Sequence, residues 1–138
     1  MKKQVVILAA TLLIMGLTLT FGQAENSNID KRITKDAVAN YLRGLNSDNQ
    51  GIRLSCAYYI GEYKISEAMI PLMKMLHNDK SECGRIMAAL ALTKIASGQS
   101  IYAVKQASKF DSSQRVRDLC YKFYNHQVAL ENKTKGKL

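Results

Sequence analysis

The chain has 138 residues, a length for one domain with one hydrophobic core, and carries 20 Lys+Arg against 11 Asp+Glu for a formal charge of +9. That balance favours anionic partners: membrane surfaces, acidic glycans, acidic proteins or nucleic acid. Three cysteines exclude a fully paired internal disulfide framework, and with two histidines they match no zinc spacing.

Lys2 and Lys3 open the chain, and residues 5–21 (VVILAATLLIMGLTLTF) form an uncharged run of 17. Gly22 and Ala24 follow at the small-residue spacing that signal peptidases recognise, so residues 1–24 are expected to be a signal peptide cleaved before Glu25. The competing view is an uncleaved anchor, because 17 apolar residues is about the lower limit for a membrane span. Three threonines and one glycine inside the run count against it, and no cysteine closes the run as a lipoprotein anchor requires. Without Lys2 and Lys3 the charge falls from +9 to +7. The protein is therefore expected to be exported, periplasmic or secreted, and no nucleic acid is expected as its everyday partner.

After a linker at residues 25–33, a repeat of 32 residues occupies residues 34–128. Setting Arg53, Arg85 and Arg117 in register gives the same offset twice. Three positions beyond each arginine stands a small residue (Cys56, Ala88, Cys120), and seven beyond stands a large apolar one (Ile60, Leu92, Tyr124). Apolar residues at three- and four-residue steps predict buried helical stripes over residues 51–61, 84–93 and 115–124. A first helix precedes each of these, over residues 37–48, 68–79 and 100–111. Thr34 and Ser66 are candidate N-caps. Gly61 and Gly98 stand where a left-handed residue closes a last turn. Pro71 is expected to bend its helix by removing a donor. No stretch alternates with period two, so no sheet is expected. Residues 129–138 are polar and basic and are expected to form a frayed, disordered tail.

Helices this short are marginal alone and must bury their stripes against neighbours, as stacked repeats do. The segments resemble HEAT repeats, in the short form also seen in phycobilisome-lyase-type repeats, over most of the chain after residue 33. That family has an Asp in the turn and an Arg six residues later, at the start of the second helix. Asp79 and Arg85 have that spacing, as do Asp111 and Arg117, while Asp48 and Arg53 are one residue closer. Ile52 and Val116 precede their arginines as apolar residues, whereas Gly84 departs from the pattern. Cys56-Ala57 and Ala88-Ala89 match the pair of small residues, and Cys120-Tyr121 matches half of it. The resemblance implies an all-α solenoid of about three helix pairs in a right-handed superhelical stack. It also implies a ladder in which each Asp meets an Arg of its own or a neighbouring repeat. A closed six-helix bundle is the competing architecture, and the 32-residue register argues against it.

The resemblance further implies that the second helices line the concave face, where partners sit. Steps of 32 from Glu62 reach Lys94 and His126, and a row one turn earlier holds Tyr58, Leu90 and Lys122. Tyr58, Glu62, Lys94, Lys122 and His126 are the candidate partner-binding stripe. His77 and His126 have no nucleophile at a recognisable spacing, so no catalytic residue, cofactor or metal site is expected. His77 at a helix C-terminus is simply well placed against the helix dipole. Met69, Met73, Met75 and Met87 are expected to fill the core. Cys56 and Cys120, two repeats apart, should lie about 20 Å from each other and stay unpaired, leaving Cys83 as the exposed thiol. The sequon Asn132-Lys133-Thr134 has meaning only in a eukaryotic host.

The expected function is that of an exported, non-enzymatic scaffold for a protein partner. A second class is a binder of polyanions or membrane surfaces through the basic C-terminal third. A third, an enzyme resembling repeat-type bilin lyases, fits poorly with export and with so few titratable groups. The open ends of a three-repeat stack leave a homodimer among the expected assemblies.

Overall fold

A computed structural model describes residues 33–136; the signal-peptide expectation and most of the linker lie outside these residues. The described residues form six α-helices and no strand. These are α1 (Lys35–Gly44), α2 (Gln50–Glu62), α3 (Met69–Asn78), α4 (Glu82–Ile95), α5 (Gly98–Phe110) and α6 (Gln114–Lys135), with a 3-10 turn at Ser66–Ala68 leading into α3. Among the described residues, no helix is long and apolar enough to cross a membrane.

Helix starts repeat with the sequence. Asn49, Ser81 and Ser113, again 32 apart, each accept a backbone N–H three residues on and so cap α2, α4 and α6. Two residues before each cap, Ser47, Asp79 and Asp111 accept the cap residue's own N–H, at 3.2, 2.9 and 2.8 Å. One local sequence thus builds the same turn three times. Thr34 caps α1 as expected, but Ser66 does not cap α3: it starts the 3-10 turn, and Ala68 precedes the helix without a side-chain cap. The cap of α5 is Ser97, whose hydroxyl accepts from the Ser100 N–H.

Pro71 is the third residue of α3, inside the first turn, where a backbone N–H has no intrahelical acceptor. It therefore removes no hydrogen bond from the helix, contrary to the expected bend. Among the described residues the left-handed positions are Lys64 and Ala96, not Gly61 or Gly98. Ala96 closes α4 at φ 57°, donating its N–H to Leu92 O, while Gly98 already belongs to α5. Gly61 is needed for space instead: a Cβ there would stand 2.9 Å from Ala91 Cα, so its absence lets α2 and α4 approach closely.

Helix α4 is the hub and packs against α2, α3, α5 and α6. Its Gly84, Ala88, Ala89, Ala91, Leu92 and Thr93 are all buried. Around it Ile60, Ile65, Leu72, Val104, Val116 and Cys120 complete a core from every pair. Met75 is buried, and Met69, Met73 and Met87 pack on the core half-buried, which is the filling role expected of them.

Two largely buried Arg–Asp pairs tie neighbouring pairs of helices. Arg53 Nε and Nη2 grip the Asp79 carboxylate at 2.8 and 3.3 Å, and Arg85 grips Asp111 at 2.8 and 3.1 Å. Each arginine also donates Nη1 to a carbonyl of its own turn, Ser47 O and Asp79 O, both at 2.9 Å. Every rung thus joins the arginine of one pair to the aspartate of the next. Asp48 was expected in this ladder, but only its carbonyl serves Arg53, at 3.0 Å. The register explains the correction, because Ser47, not Asp48, stands 32 residues before Asp79. Gly84, the departure from the repeat pattern, also has a reason here: a Cβ would lie 2.3 Å from Asp79 Cγ.

Past Tyr124 the chain stays helical. Helix α6 continues through Glu131–Lys133 to Lys135, where a disordered tail was expected. Glu, Lys and Leu are good helix formers, and the Thr134 hydroxyl donates to Leu130 O at 3.0 Å, so polarity alone does not end the helix.

Candidate interaction site on the second helices

Glu62 ends α2 and Lys94 lies in the last turn of α4, one repeat apart. The close approach at Gly61 brings them together, and Lys94 Nζ donates to Glu62 Oε1. The same ammonium lies 5.3 Å from the centre of the Tyr58 ring, a cation–π distance. Hydrogen bonding from Lys94 holds the Glu62 carboxyl below its ordinary value. With side chains 39% and 34% exposed, Glu62 and Lys94 remain open to a partner.

His126 lines the same cleft, a volume of about 560 Å³ between the ends of α2, α4 and the middle of α6. Glu62, Lys64 and Lys94 give it a charged rim, and Leu90, Phe123 and Leu130 give it an apolar wall. The structure therefore unites Tyr58, Glu62 and Lys94 in direct contact and adds His126 across the cleft. Lys122 is exposed one turn earlier on α6 and does not line it.

Two features escaped the sequence patterns. Tyr41 of α1 stacks on Tyr59 of α2 at 5.8 Å, and Tyr59 stacks on Tyr63 at 6.3 Å, with Tyr58 edge-on to Tyr59 at 5.3 Å. The i, i+4 spacing of Tyr59 and Tyr63 was the available signal. Between α3 and α5 an apolar groove of about 540 Å³ is lined by Ile70, Met73, Tyr102 and Ala103. His77 borders a neighbouring cleft beside Phe110 and Asp111. Ile70, Tyr102 and Phe110 are largely exposed, on helices whose outer face was given no role.

The cysteines are all free: Cys83 exposed, Cys56 half-buried and Cys120 buried. Burial pushes the Cys120 thiol up to about 12. Cys56 packs half-buried against the core at the α1–α2 contact, where Gly44 leaves room for its sulfur. Among the described residues, no three His, Cys, Asp or Glu side chains are grouped to hold a metal ion. Comparison with protein-family models and with curated proteins finds no match to the chain.

Proposed function

We propose that the chain is an exported, non-enzymatic α-solenoid of HEAT type that holds a protein partner on its second helices. The observation that carries this is the cleft formed by Glu62, Lys94 and His126, one residue from each helix pair. Supporting the solenoid are the caps and Arg–Asp rungs that recur every 32 residues, with α2 on α4 and α4 on α6. The cleft combines charge of both signs with an apolar wall, as the rim and core of a protein interface do.

The test is recovery of partners by the full chain expressed in an exported compartment, at low and high salt, beside the charge-reversed pair Glu62→Lys and Lys94→Glu. A defined protein retained at both salt concentrations and lost with either reversal supports the scaffold. The second reading rests on α6, whose exposed Lys122 and Lys133 share one helical edge, with Lys135 beyond them. Binding that is indifferent to both reversals and released by salt favours an anionic surface on that edge. The mass of the mature chain tests export, cleavage before Glu25 being expected.

A further inference from the structure

The guanidinium ladder stops one rung short. Arg53 and Arg85 each fix their plane by donating Nη1 to a carbonyl of their own turn, then present Nε and Nη2 to an incoming carboxylate. Arg117 makes the first of these contacts, with Nη1 on Asp111 O, but among the described residues no carboxylate pairs with its guanidinium. Gln114 stands in: its Oε1 accepts from Nη2 while its amide donates to Asp118 at 2.6 Å. Among the described residues nothing accepts from Arg117 Nε. A half-buried arginine thus keeps one guanidinium edge without a carboxylate among the described residues.

The helix face beside it changes in the same way. Positions 57, 89 and 121 are equivalent, as are 61, 93 and 125. Ala57 and Ala89 are wholly covered, and Gly61 and Thr93 are buried, whereas Tyr121 is 60% exposed and Asn125 is exposed. Tyrosine stands where Ala57 and Ala89 let one second helix lie close on the next, so another pair of the same make would not fit. A second copy stacked end to end would also bring Ser47, a hydroxyl, to the place where Asp79 and Asp111 bring carboxylates. Arg115, Arg117 and Lys122 outnumber Asp118 on this end of α6 and favour an acidic visitor.

We propose that Arg117 and Tyr121 form a docking end for a different protein, which completes the third rung with an aspartate or glutamate side chain and packs on the tyrosine ring. This surface is separate from the cleft at His126, so either can fail without the other. The probe is N-acetyl-aspartate N-methylamide, titrated into the full ¹⁵N-labelled chain while the arginine Nε–H resonances and the backbone amides of residues 114–121 are followed. The Arg117 resonance should shift to saturation, and those of Arg53 and Arg85, already gripped, should not. Arg117→Lys, read on the backbone amides of residues 118–121, should abolish the response, and Gln114→Ala, which removes the stand-in acceptor, should tighten it several-fold. The neutral asparagine analogue should give no shift. A non-saturating response, or one unchanged in Arg117→Lys, overturns the proposal, as does inorganic phosphate binding equally well. Sedimentation showing self-association that Arg117→Lys removes would assign the surface to a second copy and overturn it too.

Discussion

Replacing Arg85 by alanine should cost the fold about 3 kcal/mol. Arg85 and Asp111 have side chains only 11% and 7% exposed, so neither can recover full hydration when its partner is lost. The substitution removes two charge-assisted hydrogen bonds to Asp111 and a third to Asp79 O. Bonds to charged groups contribute about 1.5–3 kcal/mol each in favourable cases, but a bidentate pair acts as one unit, and Asp111 keeps the Ser113 N–H. About 3 kcal/mol is a large share of the roughly 5–15 kcal/mol typical of a domain. It corresponds to a melting-temperature drop of about 10–20 °C. Urea unfolding followed by circular dichroism gives the number, and a double-mutant cycle of Arg85→Ala with Asp111→Asn isolates the pair. A loss under about 1 kcal/mol, the range of an exposed ion pair, with negligible coupling, would refute the assignment of the rung as a buried structural contact.

Acid should weaken the fold through the same aspartates. Burial opposes ionisation of Asp79 and Asp111, but the guanidiniums of Arg53 and Arg85 and the N–H groups of Ser81 and Ser113 outweigh it, leaving both carboxyls below their ordinary value. A carboxyl depressed on folding adds stability that is complete above its unfolded value of about 3.9 and lost as pH falls through the lower folded value. The melting temperature should therefore fall from about pH 5 downward, and Asp79→Asn with Asp111→Asn should flatten that decline. Ala96→Gly should stabilise by about 0.5–1 kcal/mol by relieving the left-handed alanine, as seen in chemical unfolding. Gly61→Ala should destabilise by about 1–3 kcal/mol, because the new methyl meets backbone on α4. Timed alkylation with mass readout should label Cys83 first and Cys120 only on unfolding; early labelling of Cys120 would contradict its burial.

The helix pairs were legible because their boundaries are set locally. A polar cap and a stripe of period 3.6 identify a second helix without knowledge of what it packs on. The Arg–Asp rungs were legible in part: the spacing marked Asp79, Arg85 and Asp111, but the one-residue shift at Asp48 concealed Ser47 as the equivalent position. Glu62 and Lys94 were found by adding the repeat length, which works only where helices pack in register, and Lys122 shows its limit. One turn along a helix rotates a side chain little, yet Lys122 falls beyond the cleft that His126 reaches. The tyrosine stack and the α3–α5 groove depend on how helices from different pairs meet, information that no single stretch carries. The length of α6 was not legible because composition marks solubility and helix propensity with the same residues, Lys and Glu.

Helix α6 has a mechanical consequence. Its 22 residues extend about 33 Å, against about 20 Å for the 13 residues of α5 beside it. Beyond Val128 its side chains are all exposed, so its last turns project past the core. An unstructured tail would act as a tether, letting whatever is joined to it wander through a sphere. A continuous helix acts as a strut, so a reporter fixed near Lys135 would keep one distance and one bearing from the body of the protein. Any cargo attached there would inherit the orientation of the core, and a glycine pair placed in the last turns would set it loose.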